Sequence, residues 1–244
     1  GVAKFIYYRL RFLPLSPQAA FVNDSKIDHI GSSRCSEILD EINNKKNVYF
    51  IQIGSNDGIS NDPLYHRIKD NSHWSGVLVE PVPYLFRKLL DNYENNNNLI
   101  FENSLISVSN GIKKFYYVKY NQIKEGNELP KYSSQLGSLN KDHILKHFNI
   151  DIEHHIEYDY LPCITFHSLL EKHSIYSVDL IHIDAEGHDY KIFKQINIEK
   201  LKPYLLIIEY KHLSYFEALF LVSSLNNKYK LFINGADLYA VRQQ

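Results

Sequence analysis

Residues 48–58 read VYFIQIGSNDG: an apolar run from Val48 to Ile53 leads directly into a loop bounded by Gly54 and Gly58. Near-continuous hydrophobicity over six residues is typical of a parallel strand that helices cover on both faces. Glycine at both ends of the loop allows the backbone to turn sharply and to approach a ligand closely. This stretch therefore predicts the first strand of an open α/β sheet, followed by a candidate ligand-binding loop.

Four later apolar runs have the same character as the first strand. Between the runs, apolar residues recur at the spacing of one helix face, as in residues 34–45, 83–93 and 189–196. Strands and helices that alternate along a chain form a doubly wound, Rossmann-like α/β sheet in which most strands are parallel. The further strands are predicted at 76–79, 99–101, 178–183 and 205–208.

The C-terminal part of the chain departs from this alternation. A helical pattern at 215–226 is followed by two apolar runs, 230–233 and 238–241, on either side of Asn234 and Gly235. Asn-Gly is a strong hairpin signal because both residues tolerate positive φ. We therefore expect the otherwise parallel sheet to end in an antiparallel hairpin.

The length of 244 residues fits one α/β domain with an added segment. We expect an N-terminal helical extension at 1–46 and the α/β domain at 47–244. Residues 121–162 lack a clear period, so they are predicted to form an inserted segment over the carboxyl edge of the sheet, with one helix at 141–148. Within it, the hydroxyl-rich residues 132–139 fit either a lid or a polar surface loop.

Charge and cysteine content limit the classes of partner and compartment. The chain has 27 basic and 28 acidic residues, without the basic excess of nucleic-acid-binding proteins, so no nucleic acid partner is expected. Two cysteines make neither a disulfide framework nor a zinc site, which favours a reducing, cytoplasmic location. No apolar run is long enough to span a membrane, and residues 1–15 fit either a helix packed on the domain or a peripheral membrane contact.

An acidic residue ends the second predicted strand. Glu80 follows Val79 and lies 22 residues after Gly58, where a carboxylate can accept both hydrogen bonds from a ribose diol. Together with the glycine loop, it predicts a cofactor that carries adenosine. The third glycine of a dinucleotide-binding loop is absent, because position 56 is Asn and position 59 is Ile, which disfavours NAD and FAD.

Three segments, residues 50–58, 76–81 and 179–189, resemble the FkbM-type methyltransferases. The resemblance extends over roughly residues 48–209, and it implies a seven-stranded class I methyltransferase fold whose last strand is antiparallel. It also implies S-adenosylmethionine (SAM) as cofactor and O-methylation of a hydroxyl on a sugar, glycan or natural product. The sequence does not define the oligomeric state.

The resemblance assigns cofactor contacts to individual positions. Asn56 and the two loop glycines would border the methionine part, Glu80 would hold the ribose, and Asn103 and Ser104 would lie near the adenine. Gln52 stands where such loops often carry an acid, so a salt link to the amino group of the cofactor is not expected from it. The full predicted set is Gln52, Gly54, Ser55, Asn56, Gly58, Glu80, Asn103 and Ser104.

The segment Asp184-Ala185-Glu186-Gly187-His188 follows the fourth apolar run. Methyl transfer from a sulfonium is an in-line displacement, and a hydroxyl acceptor also needs a base. Asp184 is the first candidate for base or acceptor-positioning group, with Glu186 and His188 second and His212 further behind. Alternatively, Asp184 and Glu186 cap the following helix, and His212 is a surface histidine.

Three alternatives remain open at this stage. A divalent ion held by Asp184 and Glu209 is conceivable but not favoured, and the irregular spacing of the histidines between 143 and 155 gives no zinc assignment. A nucleotide-dependent oxidoreductase would share the glycine loop and Glu80. A catalytically inactive module that binds cofactor or partners would need an impaired loop or acidic segment, and both are intact.

Overall fold

The structure is a computed structural model that describes residue 16 and residues 27–118, 129–130, 133 and 135–243. The predicted helix of residues 1–15 and two positions of the predicted lid, 132 and 134, lie outside the described residues. All helices and strands given below lie within the described residues.

The described residues form two sheets flanked by short helices. The strands, in chain order, are β1 (Ile27–His29), β2 (Val48–Ile53), β3 (Trp74–Val79), β4 (Leu99–Glu102), β5 (Leu105–Ile106), β6 (Gly111–Val118), β7 (Gly137–Ser138), β8 (Ile156–Ile164), β9 (Leu180–Ile183), β10 (Leu205–Glu209), β11 (Tyr229–Asn234) and β12 (Asp237–Arg242). The α-helices are α1 (Ser32–Asn43), α2 (Tyr65–Asp70), α3 (Pro83–Asn92), α4 (Lys141–Leu145), α5 (Phe166–Lys172), α6 (Asp189–Phe193), α7 (Ile198–Leu201) and α8 (Tyr215–Leu225). One 3₁₀ turn lies at Glu153–His155.

The main sheet has the strand order β1-β11-β12-β10-β9-β2-β3-β4. β12 runs antiparallel to both of its neighbours, β10 and β11, while the other neighbouring strands are parallel. The predicted α/β sheet, with its parallel strands and terminal antiparallel hairpin, is therefore confirmed. The carboxyl ends of β2, β3, β9 and β10 lie along one edge, which is where ligands bind in open α/β sheets.

The main sheet has eight described strands, one more than the resemblance implied. The additional strand is β1, which pairs in parallel with β11 from Ile27 opposite Leu231 to His29 opposite Ile233. Only Ile27 of its three residues is buried, so the strand has no alternation that sequence reasoning could detect. It lies within the segment predicted as a helical extension, whose boundary at residue 46 stays a prediction.

The central strand β2 shows why the apolar runs become strands. Its alternate side chains enter different cores: Ile51 and Ile53 pack in one hydrophobic cluster, and Val48 and Phe50 pack in the cluster on the opposite face. All four are buried. A strand covered on both faces needs apolar residues at every position, which is the pattern that the sequence shows.

The helices are short and cover the two faces of the main sheet. α1, the longest that the structure describes, has twelve residues, whereas a bilayer-spanning helix needs about 20 apolar residues. Accordingly, no described helix has the length and apolarity to cross a membrane. α8 begins with a capping box, in which Ser214 and Glu217 each satisfy a backbone N–H of the other.

A second sheet, with strand order β5-β8-β6-β7, covers the carboxyl edge of the main sheet. Sequence reasoning missed it because β8 has no apolar run: Tyr158 and Tyr160 are exposed and Pro162 interrupts the pattern. Its long partner β6 lies about 40 residues earlier, so the pairing is not local. Phe115 and Leu161 of this sheet pack on the start of α3.

Two loop glycines give a matched stability test. Gly58 and Gly235 both have positive φ, of 76° and 58°, but a Cβ at Gly58 would meet Leu89 and Tyr93 at 2.6 Å, whereas none of the described atoms lies within 4 Å at Gly235. We expect Gly235→Ala to lower the free energy of unfolding by about 1 kcal/mol and Gly58→Ala by about 2–4 kcal/mol. Urea unfolding measures both values, and equal losses would show that packing at Gly58 contributes nothing.

Candidate active site

Two clefts meet at the carboxyl edge of the main sheet. The apolar cleft lies between the ends of β2 and β3 and the second sheet, and its walls include Val82, Leu105 and Phe115. The polar cleft lies between the loop after β2 and the end of β10, and its walls include Asp62 and Lys211. Both clefts share Gly54, Asn56, Gln135, Asp184 and Glu186.

Gly54 brings the glycine loop into direct contact with the acidic segment. It has φ of 83°, and a Cβ at this position would lie 1.8 Å from the carbonyl oxygen of Asp184. The backbone N–H of Asp184 donates to the carbonyl of Ile53 at 2.9 Å. No side chain fits between the two segments, so glycine is required here by the protein's own backbone as well as by any ligand.

Glu80 organises the loops around the apolar cleft. Its carboxylate accepts hydrogen bonds from the backbone N–H groups of Asn56 and Val82, both at 2.8 Å. The side chain is buried, and this burial raises the pKa of Glu80 to about 7. The carboxylate therefore fixes the glycine loop against the start of α3 while it lines the cleft.

Four acceptor oxygens of residues that line the polar cleft have no hydrogen-bond partner among the described residues. One is Glu209 Oε2, and the other three are Gln52 Oε1, Asn56 Oδ1 and Asp62 Oδ2. Each of these residues lines the cleft. Burial also raises the pKa of Asp62 to about 6. Buried acceptors of this kind are costly unless a donor satisfies them, so this corner of the cleft suits a ligand with several N–H groups.

The floor beneath these oxygens is a small polar network. Gln52 Nε2 donates to Asp62 Oδ1 at 3.0 Å and lies 3.1 Å from His182 Nδ1. Burial lowers the pKa of His182 to about 4, so the ring is neutral at neutral pH. His182 is thus a packed strand histidine whose ring lies against the Gln52 amide.

Asp184 lies where the two clefts meet. Burial raises its pKa well above the ordinary value, and the nearby carboxylates of Glu209 and Glu186 add to this effect. The capping alternative for Asp184 and Glu186 is not what the structure shows, because Asp189 satisfies the turn: its carboxylate accepts from the N–H groups of Ala185 at 2.7 Å and Gly187 at 3.0 Å.

Glu186 projects from a strained backbone toward three histidines. It has φ of 45°, and its Oε2 lies 3.4 Å from His143 Nε2, 3.8 Å from His147 Nε2 and 3.4 Å from His212 Nε2. We call these four residues the histidine cluster. Burial lowers the pKa of His147 and His212, and the nearby imidazoles of His143 and His212 hold the pKa of Glu186 below its ordinary value despite its burial.

The remaining predicted site residues have different surroundings. Ser104 lines the apolar cleft and donates to Glu102 Oε1 at 2.9 Å. Asn103 Nδ2 donates to the carbonyls of Glu80 and Pro81, so its amide fastens the loop after β3. His188 lines the apolar cleft, and burial lowers its pKa to about 4.

Ser55 and Gly58 support the glycine loop from within. Ser55 is buried and donates through Oγ to the carbonyl of Gln52 at 3.1 Å. Gly58 packs against Leu89 and Tyr93, and its carbonyl accepts from the Tyr93 hydroxyl at 3.0 Å. The predicted set therefore divides into residues that line the clefts and residues that hold the loops in shape.

Sequence reasoning missed three residues of the site. Asp62 precedes Pro63, a pattern that is typical of a helix start and gives no sign of a ligand site, although α2 begins further along the chain, at Tyr65. His143 and His147 were set aside because their spacing from the other histidines is irregular. Their separation by four residues in a predicted helix was the available signal, since it places both side chains on one face.

Comparisons with known proteins identify a family for this chain. The sequence model of the methyltransferase FkbM domain matches residues 52–237. Among solved structures, the chain is similar to a chain of a fibrillarin/Nop5p complex, with 15% identity, a TM-score of 0.40 and coverage of 82% of this chain and 74% of that chain. It is also similar to human methyltransferase 10 domain containing protein, with 12% identity, a TM-score of 0.40 and coverage of 85% and 80%. A search of curated proteins found no match.

The chain is also similar to a third structure, the N-terminal domain of human METTL16 in complex with S-adenosylhomocysteine (SAH). The identity is 14%, the TM-score is 0.38, and the match covers 85% of this chain and 67% of that chain. The structural similarities are too low to carry a functional argument. The family match, in contrast, spans the glycine loop, Glu80 and the acidic segment, and it disfavours the oxidoreductase alternative. Because it covers well over half of the residues, this chain belongs to the FkbM family of SAM-dependent methyltransferases.

Proposed function

We propose that this protein is an O-methyltransferase that transfers the methyl group of SAM to a hydroxyl on a sugar, glycan or natural product. SAM supplies an electrophilic methyl group on a sulfonium. The observation that carries the proposal is the position of Asp184, a partly buried carboxylate with a raised pKa at the junction of an apolar and a polar cleft.

The polar cleft would hold the amino acid end of the cofactor. An ammonium group has three N–H donors, and the unpartnered oxygens of Gln52, Asn56 and Asp62 are three acceptors in one corner of this cleft. Asp62 also supplies the negative charge that Gln52 lacks. A cation there would stabilise the ionised form of Asp62, which burial alone disfavours.

The apolar cleft would hold the nucleoside end. Glu80 lines it with a carboxylate that still has lone pairs after accepting two backbone N–H groups. Ser104, Ile106 and Phe115 provide a wall that is mostly apolar, as an adenine ring requires. Asn56 and Asp184 line both clefts, so a cofactor bound along the glycine loop would extend from one cleft into the other.

Asp184 would take the proton of the acceptor hydroxyl. A carboxylate with a raised pKa is a stronger base than an ordinary one, and its position at the junction of the clefts lets it align an oxygen with a methyl group. Glu186 and His188 also line the apolar cleft. We assign His188 to the acceptor side of the site, whereas Glu186 and His212 belong to the histidine cluster.

The acceptor would enter along a groove on the outside of the second sheet. This groove leads to Glu186 and His188 and carries Lys113 and Lys114. Lys114 lies over the ring of Tyr158, with 3.7 Å between its Nζ and the ring centroid. The two lysine ammonium groups in the groove, with the exposed Tyr158 beside Lys114, provide hydrogen-bond donors and an aromatic side chain that suit a polyhydroxylated acceptor such as a sugar.

Isothermal titration with SAH tests the cofactor assignment. We expect SAH to bind and NAD not to bind. Glu80→Gln and Asp62→Asn should each weaken SAH binding about 10- to 100-fold, because each removes a charge-assisted hydrogen bond worth about 1.5–3 kcal/mol. Asp70→Asn, at an exposed position of α2, is the control and should leave affinity unchanged. If SAH binds none of these proteins, the inactive-module alternative replaces the enzyme.

The pH dependence of SAH binding tests the same carboxylates. Burial raises the pKa of Glu80 to about 7 and of Asp62 to about 6, so both take up protons as the pH falls through this range. The ionised forms are the better acceptors, so affinity should rise between about pH 5 and about pH 7.5, below the point where a free amino group loses its proton. Glu80→Gln should flatten this rise, and an unchanged profile would contradict the ribose assignment.

Asp184→Asn separates catalysis from binding. The amide cannot accept a proton, so we expect turnover on an identified hydroxyl acceptor to fall about 100-fold or more while SAH affinity changes little. In the wild type, turnover should rise with pH as Asp184 ionises around its raised pKa. In the variant, this increase of turnover with pH should be absent. Turnover equal to that of the wild type would exclude Asp184 as the base.

A further inference from the structure

The histidine cluster joins three parts of the chain that are distant in sequence. His143 lies in α4 and His147 two residues after its end, Glu186 follows β9, and His212 follows β10. One ligand atom from each of the four residues lies within 4.8 Å of those of the other three. The four residues are only partly exposed, with side-chain exposures of 16–20%.

The spacing of these atoms matches a tetrahedral metal site. Nitrogen and oxygen ligands lie about 2.0–2.1 Å from zinc, so the edge of the tetrahedron is about 3.3–3.4 Å. Of the six edges, three are 3.4 Å: His143 to Glu186, His212 to Glu186, and His143 to His147. The two edges from His212 to the other histidines are within 4.8 Å. The edge from His147 to Glu186 is 3.8 Å.

Hydrogen bonds among these residues do not satisfy the cluster. His212 Nε2 is buried and has no hydrogen-bond partner among the described residues, although Glu186 Oε2 is 3.4 Å away. The Nε2 atoms of His143 and His147 face each other at 3.4 Å. One carboxylate oxygen surrounded by three imidazole nitrogens lacks the separate directions that hydrogen bonds need. A cation at the centre would use all four lone pairs.

We propose that His143, His147, His212 and Glu186 bind one divalent transition-metal ion, with zinc as the best fit. Imidazole nitrogens with one carboxylate suit this class of metal, and tetrahedral spacing favours zinc within it. This inference concerns metal binding by itself and does not depend on the methyl-transfer proposal.

The surrounding charges permit a cation. Lys211 lies close to the cluster, but its ammonium pairs with Glu209. A second group of acids, Asp184, Asp189 and Glu209, also brings its oxygens together, but Asp189 already accepts two backbone N–H groups. One oxygen of Glu209 pairs with Lys211, and the other lies 3.6 Å from His212 Nε2, where it adds negative charge beside the histidine cluster. The histidine cluster is therefore the better site, which differs from the Asp184–Glu209 ion considered from the sequence.

The ion would fasten the inserted segment to the catalytic edge. Four protein ligands leave no open coordination position on a tetrahedral ion. This is typical of a structural metal site, whereas a metal that activates water or substrate keeps one position open. α4 directly follows β7, and Ser138 of β7 donates to the carbonyl of Glu186 at 3.3 Å. Coordination of His143 and His147 would hold this segment over both clefts.

Metal binding can be measured directly on protein without a histidine tag. The protein is stripped with chelator and dialysed, then titrated with Zn²⁺ by calorimetry, and its metal content is measured by mass spectrometry after reconstitution. We expect one ion per chain. Co²⁺ in its place should give the intense visible absorption of tetrahedral coordination. A stoichiometry near zero, or an octahedral Co²⁺ spectrum, would overturn the proposal.

Matched variants locate the ion. His143→Gln and His147→Gln should each weaken Zn²⁺ binding by at least about 10-fold and abolish the tetrahedral Co²⁺ absorption. His167→Gln is the control, because this histidine is 72% exposed and also pairs with an acid on its own helix; it should bind as the wild type does. Circular dichroism confirms that each variant is folded. Unchanged affinity in both folded cluster variants would refute the assignment.

The result can be separated from the cofactor proposal with the same samples. SAH is titrated into the stripped and the Zn²⁺-loaded protein. Zn²⁺ binding without SAH binding would support the metal site and contradict the methyltransferase proposal. SAH binding without Zn²⁺ binding would support the methyltransferase proposal and contradict the metal site. Limited proteolysis between residues 135 and 147 should slow when Zn²⁺ is added to the wild type but not to His143→Gln. Cleavage at an unchanged rate in the wild type would contradict the fastening role.

Discussion

The contact between Gly54 and the carbonyl of Asp184 is the constraint on which the site depends. A Cβ at residue 54 would lie 1.8 Å from that oxygen, so the chain can close the gap between β2 and β9 only with glycine and positive φ. This approach brings the glycine loop and the acidic segment to one point. It also creates the junction of the two clefts, with Asp184 at the junction.

Burial then gives the site its chemical character. Glu80, Asp62 and Asp184 are carboxyl groups with raised pKa values because the surrounding protein excludes water. Such groups cost stability in the free protein, and a ligand with donors or positive charge offsets that cost. The same argument applies to the histidine cluster, where three imidazoles share one carboxylate oxygen without adequate hydrogen bonds.

Local sequence patterns predicted much of this structure, because strands and tight turns depend on residues that are neighbours along the chain. Continuous apolar runs predicted the strands of the main sheet, and Asn234-Gly235 predicted the hairpin that follows β11. Position at the end of a strand placed Glu80 and Asp184 at the binding edge. The second sheet had no such signal, since β8 exposes its tyrosines and pairs with a strand about 40 residues away.

The sequence by itself therefore determined the α/β sheet, the family and the residues at the carboxyl ends of the strands, because periodicity and motifs act over a few neighbouring residues. Only the tertiary structure decided which of those residues face a cleft and which hold loops, as Asn103 and Gly58 do. It also brought His143, His147 and His212 to one carboxylate. Such convergence depends on how distant segments pack. The spacing along the chain indicates only that His143 and His147 share a helix face, and not which residues they meet.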